Sequence, residues 1–335
     1  MAGGAVLERD LCVDVIEVAG RRLAPTAVFD TYWRFAAERQ RIYEARLRGE
    51  PAPWTDDAIL AHHRFTNCYR AADRVSQYLI RQVQYQGAQE WNEVFFRTLL
   101  FKIFNKPGTW DLLSSALTTI SWESYSYRGY DSILSRAFDA GVRLYSPAYI
   151  IPSPPFGESR KHRNHLRLIE SMMNAGVPDQ LLAASSMRRA FEILRAQPGI
   201  GDFLAYQYLI DLNYSAALSF DEMEFVVPGP GARDGLRKCF GPSASGIEAE
   251  VIRYMSASQS YHFDRLGLQW QGLNGRPLQL VDCQNLFCEV DKYSRVAHPQ
   301  IQGISGRTRI KQIYRADGRE LSAWFPPKWG INDRI

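Results

Sequence analysis

The sequence predicts a mainly α protein, and three observations carry that expectation. Apolar residues recur at helical spacing in one segment after another, as with Phe29, Trp33, Phe35 and Ile42 between Thr26 and Arg48. Pro, Gly and capping residues punctuate those segments, and only Val13 to Val18 reads as a short strand. The third observation is the stretch Gln197-Pro198-Gly199-Ile200-Gly201, lying between a helix that ends over Leu194 to Gln197 and one that runs from Asp202 to Asn213. Pro198 cannot continue a helix, and Gly199 and Gly201 permit a tight turn with positive φ. This is the sequence form of a helix-hairpin-helix. The amides opening its second helix have no helical partner and form a ready cradle for phosphate.

The elements follow in order. Residues 1–25 read as a leader. A helical domain spans 26–145: Thr26 caps a first helix, Pro51 to Thr55 break it, and Thr66 caps a long helix from Asn67 to about Gln86. Gln89 to Phe104 form another, Pro107 and Gly108 end that block, and Thr109 begins a short helix. The polar aromatic run Trp122 to Tyr130 reads as a loop, and Asp131 to Ala140 as a helix. A second helical domain, containing the hairpin, spans 146–300. It opens with an irregular connection rich in Pro, then helices over Glu158 to Ala175, Pro178 to Ala184 and Ser186 to Arg195. Beyond the hairpin come a loop over Val226 to Gly231 and helices near Ala232 to Cys239, Ile247 to Met255 and Gln284 to Arg295. Residues 301–335 form a basic tail rich in Trp and Pro.

Composition bounds the chemistry. The 335 residues are 46% hydrophobic and 23% charged, enough for a sizeable core. A net charge of +4 does not by itself indicate nucleic acid, so local distribution has to decide. An aromatic content of 13% suits a bulky helical core and pockets that stack bases. The cysteines Cys12, Cys68, Cys239, Cys283 and Cys288 have no zinc spacing, which points to reduced thiols and the cytoplasm. No signal pattern and no apolar run of membrane-spanning length occurs, so no membrane is expected. No metal and no cofactor is expected. His62, His63, His162 and His165 read as surface residues or phosphate contacts.

Two polar patches stand out. Asn67, Arg70 and Arg74 share one face of the expected 67–86 helix, with Asp73 beside it. Glu289, Asp291, Lys292 and Tyr293 crowd onto one late helix. Salt bridging on a solvated face is the bland reading of each, and a polar pocket wall is the sharper one.

Two resemblances add to these readings. The Pro198–Gly201 turn resembles the hairpin of the helix-hairpin-helix DNA glycosylase superfamily, whose catalytic aspartate, counted from Gly199, falls on Asp221. Glu222 and Val226 depart from that family's pattern, and Phe203 stands where bifunctional members place a Schiff-base lysine. Trp54 to Asp57, Arg64 to Asn67, Tyr69-Arg70, Asp73 to Ser76, Val226 to Gly231 and Phe287 to Tyr293 resemble the alpha-glutamyl/putrescinyl thymine pyrophosphorylase family, which overlaps the helical domain of hydroxymethyluracil DNA kinases.

Together they imply a fold of glycosylase-like helical domains and a substrate of modified pyrimidines in phage-type double-stranded DNA. The leading expectation is a monofunctional DNA glycosylase, a hydrolase of N-glycosidic bonds with anti-phage defence as one setting. It would flip a bulky 5-substituted pyrimidine and leave an abasic site. Asp221 would be catalytic. Pro198, Gly199, Ile200, Gly201 and Arg233 would hold DNA. Asn67, Arg70, Asp73, Arg74, Glu289, Asp291, Lys292 and Tyr293 would line the pocket. The alternative is a pyrophosphorylase-like transferase that hypermodifies 5-hydroxymethyluracil in DNA with an amine or amino acid, using Arg70, Arg74, Lys292 and Arg295 around a leaving diphosphate.

Overall fold

Helix dominates. The computed structural model describes residues 15–148, 151–315 and 321–334, and these contain fourteen α-helices and one two-stranded sheet. Residues 1–14 of the leader (Cys12 and Val13 included), residues 149–150 and residues 316–320 and 335 of the basic tail lie outside the described residues. Two compact units interleave along the chain. One draws on Met1–Cys68, Pro228–Leu273 and Asp282–Glu320, the other on Tyr69–Val227, Asn274–Val281 and Leu321–Ile335, each over its described residues.

In the first unit Ile16–Val18 pairs antiparallel with Arg21–Leu23, in the register Ile16↔Leu23. Ala19 and Gly20, at φ 49° and 72°, make the tight connection. The long helix Ala27–Leu47 is capped by Thr26, whose Oγ1 accepts from Val28 N at 3.1 Å, as expected from sequence. It buries Phe29, Tyr32, Trp33 and Phe35. Trp33 stacks on His262, a residue of the helix Gln259–Arg265, with ring centroids 4.9 Å apart. The helices Pro230–Phe240 and Leu280–Ala297 run unusually close together. A Cβ on Gly235 would stand 2.1 Å from the Phe287 carbonyl oxygen, so only glycine fits there.

In the second unit the helices Trp91–Phe104 and Asp202–Asn213 are apolar nearly all round, as befits central helices. Around them pack Lys161–Asn174, Val177–Leu182 and Met187–Arg195. Tyr127–Asp139 is capped by Ser126, and Met187–Arg195 by Ser186. Residues 321–334 dock on the same unit: Trp324 N donates to Gln77 Oε1 at 2.8 Å, and Lys328 Nζ to the Leu218 carbonyl at 2.6 Å.

Three sequence expectations need correction. The helix expected from Asn67 to Gln86 is broken into a 3₁₀ turn Arg70–Ala72, an α-helix Arg74–Tyr78 and a π-helical stretch Leu79–Gln84. The break is Asp73, which is extended at ψ 146°. Thr66 is not a helix cap: its carbonyl accepts from Arg39 Nε at 3.0 Å, and its hydroxyl accepts from Asn285 at 3.2 Å. The short helix expected from Thr109 starts two residues earlier, at Pro107, because the first helical position needs no N–H.

Candidate functional site

Charge is buried deep in the second unit. Asp211 is fully buried on the Asp202–Asn213 helix, and Arg70 grips it with both terminal nitrogens, Nη1 to Oδ1 at 2.7 Å and Nη2 to Oδ2 at 2.9 Å. Arg70 also donates to Gln207 Oε1 at 2.9 Å and to the Tyr214 hydroxyl at 3.2 Å. Lys102 reaches Asp211 Oδ2 at 3.2 Å and donates to Asn105 Oδ1 at 2.7 Å. Burial pushes the Asp211 carboxyl up, but Arg70 and Lys102 together overcome it and hold the group below its ordinary value. Burial drags Lys102 down. Arg70 is therefore the centre of an internal ion cluster. Arg74 is separated from it by the break at Asp73 and is exposed.

A second polar face lies in the first unit, on the helix Leu280–Ala297 from Asp282 onward. Asn285 Nδ2 donates to the Asn67 carbonyl at 3.0 Å, and Glu289 Oε2 accepts from Thr66 N at 2.9 Å. Lys292 Nζ donates to the same carboxylate at 2.6 Å and lies 4.6 Å over the Phe65 ring. Tyr293 donates its hydroxyl to Asp57 Oδ2 at 2.6 Å while Asp57 Oδ1 caps the helix Ala58–His62. Burial, then Asp57, pushes the Tyr293 phenol up. Asn67, Glu289, Lys292 and Tyr293 thus meet around residues 65–67. Asp291 points elsewhere, to Lys238 Nζ at 3.0 Å and Arg295 Nη2 at 2.5 Å.

The Pro198–Gly201 turn joins two helices. Gly199 takes φ 75° between Met187–Arg195 and Asp202–Asn213, with Pro198, Gly199 and Gly201 exposed and Ile200 buried. A Cβ on Gly199 would also press on Pro154 at 3.0 Å. Arg195 pairs with Asp202 beside the turn. In the first unit Arg233 is exposed on Pro230–Phe240.

Asp221 is exposed and accepts from Met223 N at 2.9 Å within a turn. Its neighbour Glu222 is the buried one. It is paired with Arg276 at 2.9 Å, and Arg276 stacks 3.9 Å over Trp329. Burial lifts the Glu222 carboxyl above its ordinary value, against the pull of Arg276 and Lys328. Burial likewise brings Lys328 down to about 8. Sequence reasoning missed Asp211, Lys102, Glu222 and Arg276. Arg97 and Lys102 set among the apolar residues of Trp91–Phe104 were the one available signal.

His162 and His165 are buried, which corrects the surface reading. His162 Nε2 lies 3.0 Å from Ser135 Oγ and 3.2 Å from Asp131 Oδ1. His165 contacts the Tyr145 hydroxyl at 2.7 Å. Among the described residues no group of His, Cys, Asp or Glu could hold a metal, and no helix is long and apolar enough to cross a membrane. Among the described residues Cys68, Cys239, Cys283 and Cys288 form no disulfide.

These features define a mainly α protein with charge buried inside both units and an exposed glycine turn opening a helix. The chain belongs to the family described as 5-hmdU DNA kinase, helical domain, whose model matches residues 26–303. It is similar to a 5-hmdU DNA kinase of Bacillus phage SP10, at 24% identity over 288 residues, covering 79% of this chain and 45% of the relative. The chain thus spans about half the length of that curated relative. No solved structure matches it. The matches overturn the leading expectation of a DNA glycosylase. A kinase is a transferase, so the N-glycosidic hydrolase and its abasic product are withdrawn. The role given to Asp221 in glycosidic cleavage falls with them.

Proposed function

We propose that the chain belongs to the machinery of a DNA-modifying transferase, and that it handles 5-hydroxymethyluracil in DNA for group transfer at the 5-hydroxymethyl oxygen. The observation that carries this reading is the family match across residues 26–303. The geometry supports it at the level of grip. The exposed Pro198–Gly201 turn offers the amides opening Asp202–Asn213 to a phosphate, and Arg195 neutralises the Asp202 carboxylate that would otherwise repel it. In this reading the turn works as a hairpin of the helix-hairpin-helix type. Contacts of that kind fix register on a duplex without reading sequence, so the base itself must supply selectivity.

The test is binding to two duplexes that differ only in thymine against 5-hydroxymethyluracil. A hydroxyl received by a polar partner contributes about 1 kcal/mol or more, so the hydroxymethylated duplex should bind roughly fivefold tighter or better. Equal affinity for the two duplexes would overturn the proposal.

A further inference from the structure

We propose that a cation-lined cavity in the second unit is a binding site for linked phosphates, as in pyrophosphate or the phosphate end of a nucleoside triphosphate. The cavity measures about 410 Å³ and is lined by Arg74, Asn105, Lys106, Arg143, Tyr145 and Ser146 among others, with three cations and no carboxylate. Arg74 and Arg143 are exposed, and neither has an ion-pair partner among the described residues. Three like charges converging without a counter-ion raise a local positive potential that an anion would relieve. A volume within the roughly 300–1,000 Å³ of ordinary ligand pockets exceeds what one phosphate fills.

The walls are pinned in place. Lys106 Nζ donates to the Arg143 carbonyl. Thr109 Oγ1 donates to the Leu144 carbonyl at 2.6 Å, and Ser146 N to the Phe104 carbonyl at 2.9 Å. Tyr145 is fixed by His165. The helix Pro107–Ala116 opens at this cavity with Lys106 as its N-cap, no side-chain cap and no acidic residue in its first turn. A cation at the positive end of a helix dipole is an unfavourable choice for stability alone. Bound phosphate makes it a favourable one. Arg143 and Arg74 would hold the outer phosphate, and Lys106 with the Gly108 amide the inner one, the Thr109 and Trp110 amides being turned to the Lys106 carbonyl.

The site rests on the transferase reading in one respect: it gives that reaction a place for its phosphate donor or its diphosphate leaving group. The experiment is calorimetric titration of the full chain with inorganic pyrophosphate, and in a second arm with a short plain duplex. The wild-type chain should bind pyrophosphate at one site. Arg143→Ala and Arg74→Ala, both at exposed positions, should each weaken it about tenfold or more, as for a charge-assisted hydrogen bond. Arg128→Ala, an exposed arginine away from the cavity, should leave it unchanged. No pyrophosphate binding, or equal binding by wild type and both cavity variants, overturns the proposal. Duplex affinity that falls in the cavity variants while pyrophosphate does not bind also overturns it, and assigns the cavity to backbone phosphate. Pyrophosphate binding that follows the variants, in a chain indifferent to hydroxymethyluracil, upholds the site and sinks the base specificity instead.

Discussion

Replacing Asp211 with asparagine tests the central ion cluster of the second unit. Its carboxylate takes three donors, from Arg70 at 2.7 Å and 2.9 Å and from Lys102 at 3.2 Å, and it is fully buried. Asparagine keeps the shape but offers one acceptor and turns an NH₂ toward a cation. Lys102 can shed its proton in response, whereas Arg70 cannot. Removing one partner of a buried pair costs about 3–5 kcal/mol, and for a unit of this size each kcal/mol moves Tm by about 2–4 °C, so a fall of roughly 6–20 °C is expected. Thermal unfolding followed by circular dichroism measures it, with Asp221→Asn at the exposed neighbouring carboxylate as a control expected within about 0.5 kcal/mol of wild type. The folded-state pKa of Asp211 is lowered, so its stabilisation is present above the ordinary carboxylate value and is lost as pH falls through the folded one. The gap between Asp211→Asn and wild type should therefore close in acid. A variant that melts within about 2 °C of wild type at neutral pH would refute the reasoning.

Other expectations follow from single contacts. Burial holds His165 down at about 3 and His262 at about 4, so folding excludes protons that the unfolded chain binds below its ordinary value of 6.5. Urea titrations should show stability falling from there toward those values, by about 2 kcal/mol per histidine at pH 5; a flat profile between pH 7 and 5 would remove both. Gly235→Ala drives a Cβ to 2.1 Å from a backbone carbonyl and should lower the melting temperature markedly. Gly201→Ala meets nothing within 4 Å and should not; equal melting of the two would contradict the close helix packing. Glu289→Gln keeps an acceptor for Thr66 but strips Lys292 of its counter-ion, at about 1–2 kcal/mol. Denaturant midpoints equal to wild type would show that this ion pair is worth nothing.

Local signals made much of the helical framework legible. Thr26, Ser186 and the Gly201-Asp202 junction set helix starts that the structure reproduces, and Asp202–Asn213 agrees to the residue. Distant contacts were not legible. The break at Asp73 goes with Arg39 and Asn285 holding the chain at residues 66–67, and neither residue is near in sequence. Gln259–Arg265 is too short for periodicity to declare, at 7 residues. The polar patches were legible as patches but not in their roles. Arg70 looks like a surface cation until Asp211 is placed opposite it. Asp221 and Glu222 differ by one position, and only the packing of Arg276 and Trp329 makes the second the buried one. The glycosylase expectation failed at the same level: spacing from Gly199 selects a carboxylate, but spacing does not select a reaction.

The most direct test is nucleoside mass spectrometry of 5-hydroxymethyluracil DNA after incubation with the chain and a nucleoside triphosphate. The transferase proposal predicts a modified hydroxymethyluracil nucleoside of increased mass, no free base, and strands that stay intact in hot alkali. Free base released from strands that then break in alkali would contradict it.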